Sequence, residues 1–204
     1  APGISSLHIN VEVTANIATT TFDIVYYNPN NRILEGEFDF PLADGQHIVR
    51  YALDIEGKLR EGVVAEKAKA RQAFENTIRR QVDPKKKKKT KGNNFRTRIY
   101  PLPAKGSRHI LLAVEEVISY DEKGNNYQLP LYANDSIGDF SLQVKVVKNE
   151  AVPESETAFG DFRFKKWENA WVASHTAKNF SANQTIRMHI PQMGKDETNM
   201  LGEN

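Results

Sequence analysis

Residues 7–13, LHINVEV, alternate without a break: Leu7, Ile9, Val11 and Val13 fall on one side, and His8, Asn10 and Glu12 on the other. A side-chain period of two describes a strand with one face buried and one face wet. It excludes an amphipathic helix, whose apolar residues recur every three or four positions. The same period returns in Thr20, Phe22, Ile24 and Tyr26, in Val49, Tyr51, Leu53 and Ile55, and in Phe95, Thr97 and Ile99. It continues in Ile110, Leu112 and Val114, in Leu142, Val144 and Val146, and in Ile186, Met188 and Ile190, with shorter runs at Phe162/Phe164 and Trp171/Ala173. Turn-forming stretches such as NPNN, ADG and YPLPAKGS separate the runs, and YDEKGNNY reads as a hairpin turning at its Gly-Asn step. The expected fold is mainly β, an antiparallel β-sandwich of roughly a dozen strands.

One segment breaks the rule. In GVVAEKAKARQAFENTIRRQV (62–82), Val64, Ala68, Ala70, Phe74 and Ile78 are spaced for one side of a helix, and Glu75 and Arg79 form an i,i+4 pair. The Asp83–Pro84 step opposes continuation, so one amphipathic helix is expected over about 63–80. Five consecutive lysines follow, Lys85 to Lys89, with Lys91 close behind. The whole chain carries a formal charge of only +2, so these lysines exceed the surplus and the basicity is local. A nucleic-acid reader needs a basic face with aromatic platforms between the charges. The only aromatic nearby is Phe95, at strand phase, so nucleic acid is not expected and the run reads as a solvated loop. A polyanion is the alternative ligand for Lys85, Lys86, Lys87, Lys88 and Lys89.

Reactive chemistry is not legible. The chain has no cysteine, which removes disulfides, thiolate metal sites and cysteine nucleophiles together. His8, His47, His109, His175 and His189 form no HxH or HxxxH pair, and Glu115 and Glu116 would face opposite ways on a strand. Neither a G-x-S-x-G elbow nor a glycine-rich phosphate loop occurs. No enzyme activity, catalytic residue, cofactor or metal site is therefore expected. No apolar run approaches the ~18 residues of a membrane span. Trp167 and Trp171 stand four apart in KKWENAWVAS. A single strand would place both on one face, suited to carbohydrate stacking or to a partner protein, while core packing of at least one competes with that reading.

Several ordered pieces together carry a family resemblance. They are TTTFDIVYYNPNN with its Tyr26-Tyr27-Asn28 step, FDFPLADGQHIVRYALDIEGK, GVVAEKAKARQAFE, and NNFRTRIYPLPAKGSRHILLAVEEVISY. Over about residues 5–132 the chain resembles the VIT domain of vault proteins and inter-alpha-trypsin inhibitor heavy chains. The resemblance implies a β-sandwich module of a larger protein, with a von Willebrand factor type A domain as the adjacent partner and an adhesion or matrix role. Type A domains bind a divalent cation through Asp-x-Ser-x-Ser; the nearest stretch here, DSIGDFSLQ, lacks the last serine, so that metal site is not carried over. The expected organisation is a VIT-like domain at 1–132, further antiparallel β at 133–192 as an extension or a second small subdomain, and a tail or linker at 193–204. The opening APGISS reads as a processed product, and the expected location is secreted, periplasmic or cell-surface. The expected function is a non-catalytic protein-interaction module.

Overall fold

The computed structural model describes residues 2–55, 57–61 and 94–192. The helix expected over 63–80, the lysines Lys85–Lys89 and the tail at 193–204 lie outside the described residues. The chain runs through β1 (Gly3–Thr14), β2 (Ile17–Tyr27), β3 (Leu34–Pro41), β4 (Gln46–Ile55) and β5 (Lys58–Glu61). Then come β6 (Asn94–Leu102), β7 (Ser107–Val117), β8 (Ser119–Asp121), β9 (Gly124–Tyr132) and β10 (Ile137–Val147). The last four are β11 (Glu154–Glu156), β12 (Lys165–Trp167), β13 (Ala170–Phe180) and β14 (Asn183–Pro191).

These strands form an eight-stranded sheet in the order β12-β13-β10-β1-β2-β7-β4-β5, a four-stranded sheet β11-β14-β9-β8, and a two-stranded ribbon β3-β6. Every pairing among the described residues is antiparallel except one. β1 and β10 run parallel, with Leu7 opposite Phe140 and Val13 opposite Val146. A parallel neighbour cannot be reached by a tight turn, and here the chain builds β2 to β9 before β10 returns beside β1. The sheet therefore crosses the 132/133 division: β10, β12 and β13 extend the large sheet on one side of β1, and β14 pairs with β9 in the small one.

Alternation decides which side is core. Leu7, Ile9, Val11 and Val13 of β1 are buried, and Phe140, Leu142, Val144 and Val146 stand opposite them on β10. Tyr127, Leu129 and Leu131 of β9 and Ile186, Met188 and Ile190 of β14 complete one continuous cluster from the small sheet. Each such side chain contributes about 1.5–3 kcal/mol by leaving water. Phe38 and Phe40, two apart on β3, both pack inward, and Phe95 lies against Tyr51 with ring centroids 5.3 Å apart. The outermost strands of the two larger sheets, KKW, KLRE, ESE and SYD, are short and charged. Such edges resist pairing with another chain.

Two local expectations are corrected. Phe162 and Phe164 are not in a strand: residues 157–164 form a loop, with the Phe162 N–H donating to the Phe159 carbonyl at 3.2 Å. That loop is held by rings, since Phe159 stacks on His175 at 4.0 Å while Asp161 bonds His175 Nδ1 at 2.6 Å. The hairpin between β8 and β9 turns at Glu122–Lys123 and not at Gly124–Asn125, because Asp121 pairs with Gly124. The Asp121 carboxylate accepts the N–H groups of Lys123 and Gly124 at 2.8 and 3.1 Å, closing the turn two residues early.

A polar knot fixes the opposite end of the large sheet. Asn28 is fully buried, and its Nδ2 donates to the carbonyls of Arg32 at 2.9 Å and Pro103 at 2.9 Å, with Leu102 at 3.3 Å. Its Oδ1 accepts from the Asn30 backbone and side-chain nitrogens, and its own N–H donates to the Gly106 carbonyl at 2.9 Å. One side chain thus ties the β2–β3 loop to the β6–β7 loop.

Candidate interaction surface

The inner face of the eight-stranded sheet is consumed by the core, so a partner docking on this sheet meets its outer face or its edges. Residue register organises that face into rows across the strands. The first row runs Trp167, Ala170, Val147, Thr14, Ile17, Val117, each paired with the next. Trp167 is 67% exposed, Val117 66% and Ile17 42%. Crossing six strands at ~4.8 Å spacing, the row is about 24 Å long, with the polar Thr14 and the fully buried Ala170 between its exposed apolar ends. The second row is charged: Lys165, Val172, Lys145, Glu12, Thr19 and Glu115 are likewise sequential partners. Exposed apolar side chains stand at both ends of the first row, with charge along its border.

Further along the same face the polar groups satisfy one another. His8 Nδ1 bonds Ser141 Oγ at 2.6 Å, and Lys178 Nζ donates to Asp139 at 3.0 Å. That bond from Lys178 holds the Asp139 carboxyl below its ordinary value. Asp23 and His109 pair directly. The sequence Ser141, His8, Asp139 superficially suggests a hydrolytic triad. The His8 Nε2 to Asp139 separation is 3.7 Å and Asp139 is engaged by Lys178, so the base-orienting hydrogen bond such a nucleophile needs is absent. Among the described residues no group of three or more His, Asp or Glu side chains could hold a metal ion. No helix among them is long and apolar enough to cross a membrane.

The tryptophans do not form the expected shared face. A turn at Glu168–Asn169 separates β12 from β13, with Trp167 opposite Ala170 and Lys166 opposite Trp171. The chain reversal replaces the strand geometry that a spacing of four assumed, and the two rings project to opposite faces. Trp171 lies opposite Val146 on the core side, half-buried, with Nε1 donating to the Asn149 carbonyl at 2.9 Å and Lys166 Nζ 4.9 Å from its ring centroid. Core packing of one tryptophan is thus realised, while Trp167 alone stays on the outer face. Val147, Ile17 and Val117 were missed from sequence. Their signal was present: Val147 and Val117 break phase at the ends of alternating strands.

At the inner rim one carboxylate is poorly placed for its charge. Glu116 faces inward beside Ala18, accepts from Gln46 Nε2, and burial pushes its carboxyl above the ordinary 4.5. The folded state then keeps a proton that the unfolded chain has released, so stability falls as pH rises from the ordinary carboxylate value through the raised one. Glu116→Gln is expected to abolish that decline. Urea midpoints measured against pH should diverge from the parent above the ordinary carboxylate range, with the variant the more stable; parallel curves would refute the assignment.

The family model described as vault protein inter-alpha-trypsin domain matches residues 4–114, 111 of the 204 residues. Among solved structures, a candidate nutrient binding protein from Legionella pneumophila aligns with TM-score 0.54 and 12% identity, over 92% of this chain and 67% of its own. An M1 zinc metallopeptidase from Deinococcus radiodurans aligns with TM-score 0.51 and 8% identity, over 92% of this chain and 42% of its own. A candidate protease from Parabacteroides distasonis aligns with TM-score 0.51 and 7% identity, over 93% of this chain and 40% of its own. At such identities the likeness is one of fold, and this chain spans less than half the length of the last two. No curated protein matches it in sequence.

Proposed function

The chain belongs to the vault protein inter-alpha-trypsin (VIT) domain family, and from that premise we propose that it is a non-catalytic interaction module of a secreted or cell-envelope protein. Its role is to pack against and orient a neighbouring domain, of von Willebrand type A kind by the family resemblance. The observation that carries this reading is the apolar row from Trp167 to Val117. Its position favours an intramolecular partner. β14 ends with Pro191 opposite Gly124, and the adjacent Asn125 donates to the Ala15 carbonyl in the β1–β2 turn, at the end of the sheet where the row lies.

The test is titration of this chain with the neighbouring domain of its precursor, by calorimetry. Trp167→Ala combined with Val117→Asp is expected to weaken association by about 2 kcal/mol or more, the signature of an interface anchor, with unchanged thermal unfolding. Unaltered affinity in the double variant would remove the row from the interface and this reading with it.

A further inference from the structure

Between the apolar row and the internally bonded His8–Ser141 row lies a shallow groove of about 470 Å3 across β10, β1 and β2. Asn10, Glu12, Thr19, Thr21, Gln143 and Lys145 line it. The side chains of Asn10, Thr19, Thr21 and Gln143 make no hydrogen bond to other described residues. One row further on the polar groups are engaged, as in His8 with Ser141 and Asp23 with His109. The groove is thus the part of this face whose hydrogen-bonding capacity is not used by the protein itself.

We propose that this groove binds a neutral oligosaccharide. Asn and Gln amides each offer donors and an acceptor, and a Thr hydroxyl offers both. A sugar hydroxyl likewise donates and accepts, so a saccharide can satisfy all of these groups without supplying charge. Glu12 and Lys145 are register partners of opposite sign, which leaves the groove with no net charge. An anionic polymer would require a basic excess that is not present there. Ile17 at the groove end supplies an apolar surface for the C–H face of a ring. The volume lies within the range of about 300–1,000 Å3 usual for small-ligand sites. The groove overlaps the domain-packing row at Thr14 and Ile17, so Trp167 and Val117, which do not line it, are the positions that separate the two roles.

The experiment is amide chemical-shift mapping of the 204-residue chain titrated separately with cellotetraose, xylotetraose, maltotetraose and chitotetraose. At least one is expected to shift the amides of Asn10, Thr21 and Gln143, saturating at millimolar concentration or below. The double variant Asn10→Ala, Gln143→Ala should bind about tenfold more weakly at an unchanged melting midpoint. Trp167→Ala should bind as the parent does. Absence of groove shifts with every sugar, or a double variant that binds undiminished, would overturn the proposal. So would binding confined to sulfated oligosaccharides and lost as salt rises, which indicates a polyanion site, or groove shifts produced by the neighbouring domain and by no sugar.

Discussion

Asn28→Ala is expected to destabilise the protein by about 3–5 kcal/mol, among the largest losses any single polar side chain here can produce. The reason is asymmetry. Alanine deletes the amide but leaves the Arg32 and Pro103 carbonyls, each 2.9 Å from Nδ2, and the Asn30 donors that Oδ1 receives. Groups left unsatisfied away from water cost about 1–3 kcal/mol each, far more than the net worth of a made bond. Asn28→Asp should be no milder, because a carboxylate would face those carbonyl oxygens. Asn30→Ala, at the half-buried side of the same knot, should cost under about 1 kcal/mol. Urea unfolding of the three variants checks the order, and a loss at Asn28 no greater than at Asn30 would show that the two loops hold together without it.

Gly124→Ala should cost about 3 kcal/mol or more. Gly124 has φ +145°, and a Cβ there would stand 2.1 Å from the Ile190 carbonyl oxygen and 3.0 Å from its carbon. Those are backbone atoms of the partner strand, so no side chain can swing aside. Relief requires separating β9 from β14, the seam of the small sheet. Gly160, with nothing within 4 Å of an added Cβ, is the control and should tolerate alanine within about 0.5 kcal/mol. Hydrogen exchange gives the location: protection should fall in β8, β9 and β14 first. Equal midpoints for the two alanine variants would mean that the seam yields at little cost.

The same pairing logic explains how a plain sandwich acquires distinct surfaces. Each strand of the large sheet except the exposed edges β5 and β12 gives its inner side to one core, so the outer residues inherit a fixed grid of cross-strand neighbours. Along that grid an apolar-ended row, a charged row that shares Lys145, Glu12 and Thr19 with the open polar groove, and an internally bonded row follow one another within one face. Off-phase apolar residues at strand ends, Val117 and Val147, cost nothing to the core and create the row. The parallel contact of β1 with β10 matters most, because it brings Gln143 and Lys145 beside Asn10 and Glu12. Neither the groove nor the row exists without it.

Much of the fold was legible in order along the chain. The alternation in β1 predicted its buried side residue by residue. The motifs around Tyr26-Tyr27-Asn28 pointed to the family, although not to the hydrogen bonds that make Asn28 indispensable. Turn chemistry was read less well at YDEKGNN, where Asp121 closes the turn and Gly124 serves close strand approach instead. The Trp167/Trp171 pair failed for a related reason, since a spacing of four means one face only if no reversal intervenes.

Local periodicity depends on neighbours two residues away, so the sequence by itself determined strand type, the absence of cysteine chemistry and the buried side of most long strands; in β4 a bulge between Ile48 and Arg50 buries Ile48 where the alternation pointed to Val49. Which strands lie side by side depends on closing loops over more than a hundred residues, as between His8 and Ser141, and no local pattern encodes that choice. The tertiary structure alone decided the rows, the knot and the groove, because each joins residues whose only relation is cross-strand register.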